Sequence, residues 1–237
     1  MLELFLGMFA AAFLWLAIWV ARKKRAIEAA RQRTLAQLGF APCPDRKPFL
    51  DEIVCRIEGP RDLSPPTSEY SDGVWGFSYS VENPLEASLN ERPVFWYTKH
   101  GRRGRDRSVS QELLFQLNRP SGEALTLFFK PSALPAGMAT RWIGAAATAA
   151  WDMQSDDLSK LSIPVDLQGS NLMGALGPPG RSLYDLMDPP TLSTMQQFGD
   201  HGGTVPRCRG QWCSVESGTG RMSLNLPSLW DLIRSLP

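Results

Sequence analysis

Histidine is nearly absent from this chain: His100 and His201 are the two in 237 residues. Cysteine is scarce too, with Cys43, Cys55, Cys208 and Cys213 making four. Structural zinc needs four ligands, usually as two close pairs. Here only Cys208 and Cys213 are close, and Cys43 and Cys55 lie far apart in sequence. There is no Gly-x-Ser-x-Gly turn to present a nucleophilic serine, and no Gly-Lys-Ser/Thr element to cradle a phosphate. Internal repeats are missing as well. Twenty glycines and 19 prolines fall short of the level that marks a disordered chain.

An excess of one charge is also lacking. The formal net charge is +1. Outside Glu3 and the segment Arg22–Arg33, 19 basic residues face 22 acidic ones. That mildly acidic remainder excludes a general nucleic-acid binder, which needs a basic face.

What the chain does have is an apolar N-terminus. Leu2 to Val20 carries a single charge, Glu3, at its outer end. As a helix this run spans about 28 Å, close to the hydrocarbon thickness of a bilayer. Arg22, Lys23, Lys24 and Arg25 follow at once, and nothing basic precedes the run. A cleaved signal peptide has the opposite order. Trp15 and Trp19 sit near the basic end, at the depth indole rings favour. The expectation is a retained single-span anchor over residues 1–20. The positive-inside rule then sets the N-terminus outside and the main domain in the cytoplasm, at the cell membrane. Arg22, Lys23, Lys24 and Arg25 would contact the membrane surface. Residues 21–39 continue as a basic helix rich in Ala, Arg, Lys, Gln and Leu, with Gly39 as its C-terminal cap.

Residues 40–237 are long enough for one domain with its own core. Phe49 to Ile57 suits a short helix or a strand, and Pro60–Ser71 reads as a loop. Trp75, Phe77, Tyr79 and Val81 alternate with small residues, the period of a half-buried strand. Further strands are expected at Val94–Lys99, Val109–Leu117 and Leu125–Phe129. The first of these is followed by the arginine-rich loop Gly101–Arg107, and Pro120-Ser-Gly122 turns the chain before the last. Short links between the four strands imply an antiparallel meander.

The pattern then turns helical. Met138–Met153 is Ala-rich and should pack on the sheet, with the membrane interface as the lesser option. Gly169–Gly180 reads as a loop. Ser182-Leu-Tyr-Asp185 resembles a capping box, and Asp188 can cap a helix with Pro189 and Pro190 in its first turn. Val205–Cys208 and Trp212–Val215 form a hairpin around Gly210. Ser228 can cap a last helix, docked onto the body. The fold class is α+β: an N-terminal transmembrane helix, then one domain with a meander and several short helices.

Leu38-Gly39-Phe40, Val94-Phe95-Trp96-Tyr97 and Leu125-Thr-Leu-Phe-Phe-Lys-Pro131 follow the anchor and basic helix in an order that resembles a loosely defined group of uncharacterised bacterial single-span membrane proteins. The resemblance implies this architecture and no activity.

Several places can carry chemistry. Gly101–Arg107 holds four arginines beside His100, which suits anionic headgroups; a solvated hairpin tip is the plainer reading. Asp200 and His201 are adjacent, but neighbours in sequence seldom make a working acid–base pair. Cys208 and Cys213 fit a cross-strand pair, or zinc together with His201. Gly177-Pro-Pro-Gly180 lacks the spacing of a Pro-x-x-Pro ligand and reads as a connecting loop. The expected function is therefore an accessory or scaffold subunit of a membrane complex, with the lipid bilayer and other membrane proteins or a second copy as partners, and no cofactor, metal or nucleic acid. The alternatives are a membrane-associated enzyme using Asp200, His201, Cys208 and Cys213, and a sensor of anionic lipid using Arg22–Arg25 with Arg102–Arg107.

Overall fold

Good helix formers without a proline carry one uninterrupted helix, α1, over Leu2–Gln37, 36 residues. It stops where Gly39 takes φ +85, a value that favours glycine. The Leu38 and Gly39 N–H groups donate to the carbonyls of Thr34 and Ala36 at 3.0 and 3.1 Å. In the basic half, Glu28 accepts from Arg31 at 2.8 Å and from Gln32 at 3.0 Å.

The computed structural model describes residues 2–58, 77–103, 106–119, 123–130, 158–168, 170–201, 205–217 and 225–236, with side chains of α1 from residue 13. Among the described residues no helix is long and apolar enough to cross a membrane. Residues 13–37 hold only Phe13–Val20 of the apolar run before the cations begin, so this part of α1 does not make a span by itself. The expected loop Pro60–Ser71, the start of the strand at Trp75, the turn Pro120–Gly122 and the Ala-rich stretch Met138–Met153 lie outside the described residues. The chain divides into two compact units, Met1–Gly39 and Phe40–Pro237.

The second unit is α+β, built on a large antiparallel sheet with several helices. Its strands are β1 (Ala41–Pro42), β2 (Phe77–Leu89), β3 (Arg92–Arg103), β4 (Asp106–Gln116), β5 (Leu125–Phe129), β6 (Ser159–Lys160), β7 (Leu172–Gly177), β8 (Pro206–Arg209) and β9 (Trp212–Ser217). Asn90 and Glu91, both at positive φ (52 and 63), join β2 to β3 in the pattern of a type I′ turn, whose twist suits a hairpin. Asn83 at φ 51 marks a bulge in β2, where the register against β3 shifts between Glu82 and Leu85.

The strand order is β1-β2-β3-β4-β9-β8-β5-β7-β6. This corrects the expected four-strand meander. β2, β3 and β4 are sequential neighbours, but the β8–β9 hairpin separates β4 from β5. The burial of β4 explains it. Glu112, Leu113, Leu114 and Phe115 are all buried, so both faces of β4 are covered and both its edges need partners. β9 supplies the second edge, with Leu114 opposite Ser214 and Phe115 opposite Cys213. The Gly169–Gly180 stretch is also corrected. Its Leu172–Gly177 part is a strand paired with β5, not a loop. Glycine serves close packing there: a Cβ on Gly177 would meet Leu186 Cδ1 at 2.7 Å and Leu161 Cδ1 at 2.9 Å.

Helix α2 (Lys47–Glu58) buries Leu50, Ile53 and Val54 against Val81, Phe95, Tyr97, Leu114 and Trp212 on one sheet face. Its N-terminal half also covers the edge of β2 at Val81. The Val81 N–H donates to Asp51 Oδ1 at 2.7 Å, and Lys47 Nζ donates to the Val81 carbonyl at 2.6 Å. On the other face, Phe115 stacks on Phe198 with ring centroids 5.6 Å apart. Phe198 belongs to α4 (Pro189–Asp200), which Asp188 caps through the Thr191 N–H at 2.9 Å. The short α3 (Leu183–Leu186) carries the complete Ser182–Asp185 capping box. Helix α5 (Leu226–Ser235) begins earlier than the Ser228 cap implied, because Pro227 is well suited to a first turn. Its end is tied down where Asn118 Nδ2 donates to the Leu236 carbonyl at 2.9 Å.

Candidate functional site

The strand registers set a line of charged and hydroxyl side chains on the α2 face. On β3, Phe95, Tyr97 and Lys99 share that face by their alternation. Glu112 lies opposite Tyr97, and Glu216 opposite Glu112. Ser214 lies opposite Arg207 across β9 and β8. Glu58, the last residue of α2, comes down onto the same place. Cations at a helix C-terminus complement its dipole, and Lys99 and Arg207 meet Glu58 there.

The contacts form one network. Lys99 Nζ donates to Glu58 Oε1 at 2.7 Å and pairs with Glu112 Oε1. Arg207 pairs with Glu58 through Nη1 and reaches Glu216 Oε2 at 3.7 Å through Nη2. Glu112 Oε2 accepts from Tyr97 at 2.9 Å and from Ser214 at 2.7 Å. Lys99 also stands 5.6 Å from the Tyr79 ring centroid. The Lys99 and Glu58 side chains are 5 % and 4 % exposed and Glu112 is 1 % exposed, so water screens these pairs little. Arg207 Nε is buried with no hydrogen-bond partner.

Two cations and three carboxylates meet here, and the odd charge shows in their proton affinities. Burial pushes the Glu58 carboxyl up, but Arg207 and Lys99 overcome it and hold Glu58 below its ordinary value. Burial works against the Lys99 ammonium, yet Glu112 and Glu58 hold its pKa above the ordinary value. Glu216 ends up raised: desolvation exceeds the help from Arg207 and Lys99, and Glu112 and Glu58 repel it. Burial, then the Glu58 charge, pushes the Tyr79 phenol up to about 12. Both cations are thus held by carboxylates of the same chain. The arrangement fastens the end of α2 to β3, β4 and β8.

Sequence reasoning missed this cluster, although one signal was there. Lys99 continues the Phe95–Tyr97 alternation, and Glu112 stands two residues before Leu114. Each is a charge in a buried register, and such a charge needs a partner.

The residues singled out from sequence are placed as follows. Arg22, Lys23, Lys24 and Arg25 are exposed on α1, with Lys23 Nζ 5.1 Å from the Trp19 ring centroid. Asp200 ends α4 as an exposed residue, and His201 is its C-cap, donating its N–H to the Phe198 carbonyl at 3.1 Å. Cys208 and Cys213 face each other across the β8–β9 hairpin, buried, with their sulfurs 2.7 Å apart. Among the described residues no three His, Cys, Asp or Glu side chains could hold a metal ion together. The arginine-rich loop is shorter than expected. Arg102 lies opposite Arg107 and Arg103 opposite Asp106, so these residues are strand ends. His100 Nε2 is 3.1 Å from Glu82 Oε2. Gly177 closes β7, and Gly180 turns the chain toward α3.

The fold and its cluster define an α+β protein: a large antiparallel sheet with helices on both faces, in a chain that also carries the long helix α1. No protein-family model matches the sequence, and no curated protein matches it. Among solved structures, a mycobacterial protein is similar in part: the crystal structure of trehalose monomycolate transport factor A, TtfA, with a TM-score of 0.31 and 10 % identity, covering 67 % of this chain and 75 % of that one. A likeness of that size carries no argument about function.

Proposed function

We propose that the protein is a membrane-anchored subunit whose domain lies in the cytoplasm and binds a partner, as an accessory or scaffold component of a membrane complex. One observation carries the reading. Phe13, Leu14, Trp15, Leu16, Ile18, Trp19 and Val20 are all exposed on α1, directly before four exposed cations. A contiguous apolar surface of this kind needs a cover, and lipid suits it. The whole run Leu2–Val20, not Phe13–Val20 alone, is the proposed span. The cations favour the cytoplasmic leaflet, each gaining roughly 1 kcal/mol beside anionic lipid. The domain's buried charges support an interaction role over catalysis. Lys99 and Arg207 are committed to Glu58, Glu112 and Glu216, so they hold the fold and leave the surface to recognition.

Two measurements test this. A reporter fused to the C-terminus should be active only in the cytoplasm; labelling of the domain from outside intact cells overturns the orientation. Purification in mild detergent should bring down a reproducible membrane-protein partner or a defined homo-oligomer. A monodisperse, solitary chain under those conditions removes the scaffold reading.

A further inference from the structure

The β8–β9 hairpin holds the sheet together: β9 pairs with β4 on one side, and β8 pairs with β5 on the other. Its turn is two residues long, with Gly210 at φ +59 in the first central position, the pattern of a type II′ turn. In such a hairpin the residues closing the turn, Arg209 and Trp212, form the hydrogen-bonded pair. The next pair, Cys208 and Cys213, is then non-hydrogen-bonded. Antiparallel Cα atoms in such pairs stand about 4.5 Å apart. That lies within the range of about 4.4–6.8 Å that a disulfide bridges. The register points both side chains to one face, and both are buried in mutual contact.

We propose that Cys208 and Cys213 are a redox-convertible pair that closes to an intramolecular disulfide by exchange with a low-molecular-weight disulfide, without a change of strand register. One thiolate attacks oxidised glutathione, forming a mixed disulfide and releasing one glutathione thiolate. The second thiol loses its proton and attacks the protein sulfur of that mixed disulfide, releasing the second glutathione thiolate. The pair loses two electrons and two protons, and one glutathione disulfide becomes two thiols. In a reducing compartment the pair rests as the dithiol. Both cysteines are buried, and burial with the neighbouring Cys208 pushes the Cys213 thiol well above its ordinary range, so the folded pair meets the probe slowly. The bond therefore forms fastest while the hairpin is still open to solvent, and afterwards it locks the strand pair that joins the two halves of the sheet.

The test uses the full chain in detergent, with oxidised glutathione as the probe. One sample is treated folded and a second is refolded from urea in the same buffer. Free thiols are alkylated, and the chain is digested with trypsin without reductant. Cleavage after Arg207, Arg209 and Arg221 leaves Cys208-Arg209 joined to Gly210–Arg221 if the bond has formed. The expected result is that this linked peptide dominates after refolding, with slow or no conversion of the folded dithiol. Its appearance in both samples also supports the pair. Cys208 and Cys213 alkylated in both samples, or joined instead to Cys43 or Cys55, overturns the proposal.

Discussion

Tyr97 and Glu112 face each other across β3 and β4, and the buried phenol donates to Glu112 Oε2 at 2.9 Å. That bond, with the one from Ser214, satisfies the oxygen of Glu112 that Lys99 does not take. Breaking such a buried pair by removing one member typically costs about 3–5 kcal/mol, because the other charge stays buried and unpaired. Glu112→Leu should therefore destabilise the domain by about 3–5 kcal/mol in urea unfolding. Tyr97→Phe should cost about 1–2 kcal/mol, the value of one hydrogen bond to a charged acceptor. The double variant Glu112→Leu with Lys99→Met should recover much of the loss, since a fully apolar replacement leaves fewer charges stranded. If the double variant is as weak as the sum of the singles, Lys99 and Glu112 are not coupled.

Lys47 and Asp51 place side-chain groups where a neighbouring strand would bind Val81. Unpaired strand edges invite association with other chains, and charged side chains on the edge prevent it. Asp51→Ala should cost about 1–2 kcal/mol by leaving the Val81 N–H without its acceptor. It should also speed amide exchange at Val81 and promote concentration-dependent association. Asp51→Asn, which keeps an acceptor, should restore most of the protection. Unchanged exchange at Val81 in Asp51→Ala would show that the edge is covered by something else.

These two relationships also mark how far the sequence was legible. Local signals were clear because they are satisfied within a few residues. The Ser182–Asp185 box, the Asp188 cap before two prolines, the Gly210 hairpin and the end of α1 at Gly39 all belong to this kind. Alternation revealed β2, β4 and β5, and the aromatic run Phe95-Trp96-Tyr97 revealed β3. The order of the strands was hidden, since β4 finds its second partner about 100 residues later, and no local signal encodes that choice. The same distance hid the charged cluster. Arg207 and Glu58 look like ordinary surface charges until the fold brings them against Lys99 and Glu112. β7 was missed for another reason: its Gly177 serves close packing, which in sequence looks the same as turn formation.

The two carboxylates Glu58 and Glu216 should respond to pH in opposite directions. Glu58 is held below its ordinary value of 4.5 in the folded chain, so the stability it contributes is present above 4.5 and is lost as pH falls through the lower folded value. Glu216 is raised above 4.5, so its contribution is full below 4.5 and is lost as pH rises through the higher folded value. Its side chain is 32 % exposed, which keeps the effect small. Glu216→Gln should leave stability below pH 4.5 nearly unchanged and raise it modestly at neutral pH. Glu58→Gln should do the reverse, flattening the acid limb and weakening the protein at neutral pH. Urea midpoints between pH 3 and 8 read both, and a neutral-pH loss in Glu216→Gln would mean that its pairing with Arg207 outweighs desolvation.

The four cations after the apolar run give the last prediction. Lys and Arg beside a span set its orientation, whereas acidic residues contribute little, so Glu3 does not compete. Replacing Arg22, Lys23, Lys24 and Arg25 together by Asn should leave membrane association intact, since Leu2–Val20 is unchanged. Orientation should then become mixed, with part of the C-terminal reporter moving outside. Arg31 and Arg33 remain on the same side, so a partial shift is expected and not a full reversal. Deleting residues 2–20 should instead release the chain from alkaline-washed membranes while the reporter stays cytoplasmic. If the Asn variant keeps a uniform orientation, something other than this basic cluster orients the chain. If the deletion variant stays in the washed membranes, the anchor lies elsewhere in the protein.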